Sequence, residues 1–181
     1  MIEAANENRR LMPSRMNLDT FLESFGGVYE HSCWIAEDVF AGGLTGDHDT
    51  IAGLHGAMHD VVEEAESDKK LALLQAHPDL AGKLAMAADL TAESTAEQAS
   101  AQLDQCTAEE FEEFQSLNGR YKKRFGFPYI LAVRGRRRQE ILDNFRSRVD
   151  NPPESEFAEA LKQVHRIALL RIEAIFQEEQ E

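Results

Sequence analysis

From Asn17 onward, apolar residues recur at three- and four-residue intervals, and each recurrence is closed by a glycine, a proline or a polar cluster. That interval is the α-helical period, in which residues i, i+3, i+4 and i+7 share one face. Leu18, Phe21, Leu22 and Phe25 follow Asn17 and stop at Gly26–Gly27, so the spacing predicts a helix capped at Asn17. A second helix is predicted from near His31 to Phe40, and a longer one carries Ile51, Leu54, Met58, Val61, Val62 and Ala65. "KKLALLQA" and "LAGKLAMA" read as short helical pieces on either side of a His-Pro turn. Two stretches, Ser94 to Glu97 and Thr107 to Glu110, have the Ser/Thr-x-x-Glu form of a capping box, and each predicts a helix start at its hydroxyl residue. Ile141, Leu142, Phe145 and Val149 mark a further helix, "DNPPES" breaks it, and the last runs through "SEFAEALKQVHRIALLRIEAIF". The apolar run "FGFPYILAV" (125–133) has no neighbouring strand to pair with, so it is expected to be a loop opening into a helix. The sum is an all-α, single-domain bundle of about eight helices.

With 181 residues, 43% hydrophobic and 29% charged, the chain has a globular composition and enough length to bury a core without metals or disulfides. Its formal net charge of −14 argues against nucleic acid and membrane surfaces as partners, so an anionic substrate needs a local basic pocket. Two cysteines, Cys33 and Cys106, are too few for a stapled secreted scaffold and point to a reducing, cytoplasmic compartment. The opening "MIEAANENRRLMPSRM" has no signal-peptide core, and no apolar run is long enough to span a bilayer. Residues 1–15 are expected to be a flexible tail, with Met16 as an alternative start, and residues 16–181 the helical domain.

Polar residues set against this frame are the places to look for chemistry. Pro78 biases His77 away from helical dihedrals, which puts a titratable ring on a turn, facing a cavity or bonding a nearby carbonyl. Arg171 falls on the apolar stripe of the last helix with Phe157, Leu161, Val164, Ala168 and Ile175, while Arg166 points nearly opposite. A guanidinium on a buried face needs an acceptor, either a structural carboxylate or an anionic ligand; with the second, the empty site holds an unneutralised cation. Glu97 is accounted for by the capping box alone. His55 and His59 lie four apart with Glu63 following, which is metal-ligand spacing, but no third ligand sits at a fixed offset, and no metal is expected. "RYKKR" (120–124) and "RGRRR" (134–138) lack interleaved aromatics and read as a solvated face or a dimer contact.

Taken together, "FGGVYEHSCWIAE" (25–37), "AHPDLAG" (76–82), "STAEQ" (94–98), "LNGRYKKRFGFPYILAV" (117–133) and "RIALLRIEAI" (166–175) resemble the 2-oxo-4-hydroxy-4-carboxy-5-ureidoimidazoline (OHCU) decarboxylase family, over nearly everything after Met16. The resemblance implies an all-helical homodimer that releases CO2 from a small anionic substrate, gives (S)-allantoin in urate oxidation, and uses no cofactor. It implies that His77, Glu97 and Arg171 are catalytic. Substrate contacts are implied for Pro78, for Ser94, Thr95, Ala96, Glu97 and Gln98, and for Tyr129, Ile130, Leu131, Ala132 and Val133. Cys33 stands where the family usually has proline, and Tyr129 where phenylalanine is common. The competing reading is a noncatalytic helical scaffold in which the three charged residues are satisfied core groups.

Overall fold

The computed structural model describes residues 11–81 and 91–178. Among them are eight α-helices and no strand: α1 (Leu18–Phe25), α2 (Trp34–Ala41), α3 (Ile51–Glu64), α4 (Ser67–Gln75), α5 (Ala92–Ser100), α6 (Ala108–Phe125), α7 (Arg138–Arg148) and α8 (Pro153–Glu178). The all-α expectation holds. No helix among the described residues is long and apolar enough to cross a membrane. Most of "LAGKLAMA" lies outside the described residues.

The described residues fall into two compact units, those within 1–65 and 168–181 and those within 66–167. In the first, Asn17 caps α1 by accepting the Thr20 N–H, as the spacing predicts, and Thr50 caps α3 by accepting that of Gly53. The stripes then pack: Phe21 lies 5.2 Å from Phe25 and 5.6 Å from Phe40, Phe25 lies 6.2 Å from Phe176, and Leu54, Met58 and Val62 are fully buried along α3. Each such side chain contributes roughly 1.5–3 kcal/mol through burial. Residues 11–15, which fall within the segment expected to be a flexible tail, are among the described residues. Leu11 is buried, Pro13–Arg15 form a short 3-10 turn, and Ser14 donates from its N–H and Oγ to the two carboxylate oxygens of Asp49, both at 2.8 Å.

In the second unit, α6 starts as its sequence predicts. Thr107 Oγ1 accepts the Glu110 N–H while Glu110 accepts the Thr107 N–H at 2.9 Å, a closed capping box. It ends at Gly126, whose φ of 79° suits glycine, and the Gly126 carbonyl accepts a 2.9 Å bond from Gln75 of α4. Tyr121 of α6 meets Phe125, Phe127, Tyr129 and Phe145 at 4.5, 5.9, 5.5 and 5.8 Å, an aromatic cluster that forms the core of this unit.

Candidate functional site

His77 sits immediately past the end of α4. Pro78 cannot continue the helix, and the last α4 carbonyls are used locally: Leu74 accepts the His77 N–H at 3.3 Å and Leu73 accepts the ring Nδ1–H at 2.9 Å. A carbonyl can only accept, so the bond assigns the ring proton to Nδ1, and in the neutral ring Nε2 carries the lone pair. The ring is 9% exposed. Beyond Pro78 the chain turns back through Ala81, which takes a left-handed φ of 50° without being glycine. Gln98 of α5 closes the turn, accepting the Ala81 N–H at 3.2 Å and donating to the Asp79 carbonyl at 3.4 Å. The structure thus brings the 94–98 segment to the His77 turn through Gln98.

The start of α5 is not where the sequence predicts it. Its N-cap is Thr91, whose hydroxyl accepts the Ser94 N–H, and Ser94 lies buried inside the helix. The Ser94 to Glu97 capping box is therefore absent. A cap one turn earlier wins because Thr91 can adopt the extended dihedrals an N-cap needs, and the same hydroxyl chemistry is then satisfied three residues sooner. Glu97 consequently lies half-buried in the second turn of α5, with Thr95 and Ala96 exposed beside it.

Tyr129 to Val133 run as irregular backbone into α7, as expected, and all five are buried. A buried ion pair holds them. Arg148 donates from both Nε and Nη2 to Glu156 and from Nη1 to the Ile130 carbonyl at 2.7 Å, and its guanidinium lies 4.8 Å over the Tyr129 ring. Glu156 also accepts from Tyr121 and, at 2.8 Å, from Asn151. The Tyr129 hydroxyl donates to Asn144 at 2.6 Å and its ring stacks on Phe145 at 3.7 Å. Desolvation pushes the Tyr129 hydroxyl pKa up, so it stays a donor. Arg148 is a signal that sequence reasoning missed: it follows Ile141 and Phe145 at helical spacing just as Arg171 follows Ala168.

Arg171 is 5% exposed and its acceptor is a carboxylate of the same unit. Nη1 donates to Glu30 Oε2 at 2.8 Å, with the Gly27 and Val28 carbonyls at 3.4 and 3.5 Å. The left-handed φ of 48° at His31 bends the chain immediately after Glu30, itself 1% exposed. The unneutralised cation expected for a purely substrate-binding arginine is thus overturned; Glu30 supplies the countercharge. Arg166 is exposed, as its position on the helix requires. His55 and His59 lie on α3 with ring centroids 6.3 Å apart, and His59 Nδ1 contacts Asp60 at 3.2 Å. The two basic runs are largely paired with acids of their own unit: Arg120 with Asp150, Lys122 with Asp79, Arg137 with Glu140 and Arg138 with Glu110.

One unit thus carries a histidine of defined tautomer on a turn and a half-buried carboxylate, and the other a buried guanidinium paired with a carboxylate. The comparisons with known proteins narrow this. A family model described as OHCU decarboxylase matches residues 14–173. The OHCU decarboxylase of Haloferax volcanii is 40% identical over 92% of this chain and 95% of its own length. That of Xenopus laevis is 30% identical over 89% of this chain and 90% of its own. The crystal structure of an (S)-allantoin synthase, 34% identical, superposes with a TM-score of 0.70 over 90% of this chain and 52% of its own. The chain belongs to the OHCU decarboxylase family.

Proposed function

We propose that the chain decarboxylates 2-oxo-4-hydroxy-4-carboxy-5-ureidoimidazoline to (S)-allantoin in urate degradation, using its own side chains and no cofactor. The observation that carries this reading is the match over residues 14–173, which includes His77, Glu97 and Arg171. A Bacillus subtilis relative, 36% identical over 93% of this chain, is named a uric acid degradation bifunctional protein, which supports the place in urate breakdown.

The reaction explains why no electron sink need be borrowed. As CO2 leaves C4, the bonding pair forms a C4–C5 double bond and displaces the C5–N imine electrons onto the ring nitrogen, which takes a proton. The C4 hydroxyl then gives up its proton, and C5 receives one on a single face; one proton is consumed overall. His77 takes the hydroxyl proton in this reading: its Nδ1–H bond to Leu73 puts the basic lone pair of the neutral ring on Nε2. Glu97 orients the ureido group through N–H donors that a carboxylate accepts. For Arg171 the sign of the effect matters: charge leaves the carboxylate as CO2 forms, so a strong cation on it stabilises the ground state more than the transition state. An arginine already paired with Glu30 is nearly neutral as a unit, and its work is orientation. Substrate contacts fall to Pro78, the 94–98 segment and Tyr129 to Val133. Within that last stretch the Ala132 N–H is taken by Gln163 at 3.1 Å.

The same reading includes a homodimer in the cytoplasm and a helical domain over residues 16–181. The test is to supply freshly generated substrate and follow rate and optical rotation, since the uncatalysed reaction yields racemic allantoin. The wild-type chain should give the (S) product and His77→Ala should not. A racemate at the uncatalysed rate from the wild-type chain overturns the proposal.

A further inference from the structure

One face of α6 reads the catalytic turn residue by residue. Gln115, Asn118 and Lys122 stand at i, i+3 and i+7, which places them on one side of the helix. Gln115 Nε2 donates to the Ala81 carbonyl at 3.2 Å, Asn118 Nδ2 to the Leu80 carbonyl at 2.9 Å, and Lys122 Nζ to the Asp79 carboxylate at 2.7 Å. Moving along α6 in one direction therefore meets residues 81, 80 and 79 in the other. Gln98 fastens the same turn from α5. Asn118 is 3% exposed, and its Oδ1 meets no donor among the described residues. A half-satisfied buried amide is costly where an apolar side chain would pack, so its donor must serve a purpose at that position. The turn it holds contains a strained alanine, and strain of this kind persists only where the surroundings over-determine it.

We infer that Gln115, Asn118 and Lys122 form a cradle that positions His77 for proton transfer, with Asn118 as its central positioning residue. The chain enters His77 from α4, where Leu73 and Leu74 hold ring and backbone, and it leaves through the rigid Pro78 into the cradle. The ring is thereby fixed from both sides. This inference rests on the proposed role of His77 in decarboxylation.

The experiment uses the full chain and two readouts. Ring-nitrogen chemical shifts of His77 report its tautomer whether or not the protein is active, and kcat at saturating substrate reports proton transfer. In the wild-type chain the proton should reside on Nδ1. Asn118→Leu should mix the tautomers and lower kcat by about ten- to a hundredfold, the scale of a misplacement near 1 Å. Lys122→Met should do the same more weakly, and Lys122→Arg should restore both readouts. A folded Asn118→Leu with wild-type ring signals and wild-type kcat overturns the inference. Should that variant fail to fold, Gln115→Met and Lys122→Met decide it on the same readouts, both residues being exposed enough to change without opening the core. A wild-type chain without decarboxylase activity would sink the proposed function, while the tautomer in the variants would still decide the cradle.

Discussion

Two helices of the second unit carry the same written signal at their starts and use it differently. At α6, Thr107 and Glu110 close a reciprocal capping box, and the Glu110 carboxylate is spent on the helix end and on Arg138, which lies 2.9 Å away. At α5, Ser94 and Glu97 have the same spacing, but Thr91 has already started the helix, so Glu97 is carried into the second turn. The difference teaches that a capping motif states what can cap, and that competition from a residue one turn upstream decides what does. At α6 the carboxylate serves the helix start; at α5 Thr91 serves it, and Glu97 stands half-buried in the second turn.

The largest effect should come from Arg171, which shares features of both cases. Arg171 is paired like Glu110, yet the family resemblance assigns it to chemistry like Glu97. Arg171→Met removes the guanidinium paired with the buried Glu30 carboxylate and should destabilise the protein by about 3–5 kcal/mol, and combining it with Glu30→Leu should recover much of that loss. Chemical denaturation of the single and double variants measures it. Recovered stability without recovered turnover would separate the structural role of this arginine from its catalytic one.

Next in size is Glu97→Gln. Turnover should fall by about a hundredfold or more, on the scale of lost acid–base or orienting groups, while the melting temperature stays near that of the wild type because Thr91 caps α5. Retained turnover with a lowered melting temperature would put Glu97 back on the structural side of the comparison.

Smallest is the effect at α6. Thr107→Ala should cost about 1 kcal/mol and leave kcat unchanged. The Glu110 carboxyl is held below its ordinary pKa, first by the Thr107 N–H and then by Arg138. Its contribution to stability is therefore present above the unfolded-state value near ~4.3 and is lost as the pH falls through the lower folded value. Glu110→Gln should flatten that acid limb of the stability curve. An unchanged limb would mean that other carboxylates dominate it, Glu113 beside Arg146 being the next to examine.

What the sequence determined by itself was whatever is local. Helical period, the caps at Asn17 and Thr107, the breaks at Gly26 and Pro152–Pro153, and the non-helical posture of His77 all follow from residues within a turn or two of each other. The placing of Arg171 on a buried face and Arg166 outside it was equally legible, because both are fixed by rotation about one helix axis. Identity of partners was not. Glu30 lies 141 positions from Arg171, Asn118 lies 38 from Leu80, and Glu156 reaches Tyr121 across 35. No spacing rule links such residues, since side-chain pairing across helices depends on how the helices pack, and only the tertiary structure decides that. The start of α5 belongs with them in part. The Ser94 spacing pointed to a cap there, and the choice of Thr91 followed from the backbone that the fold holds extended at that residue.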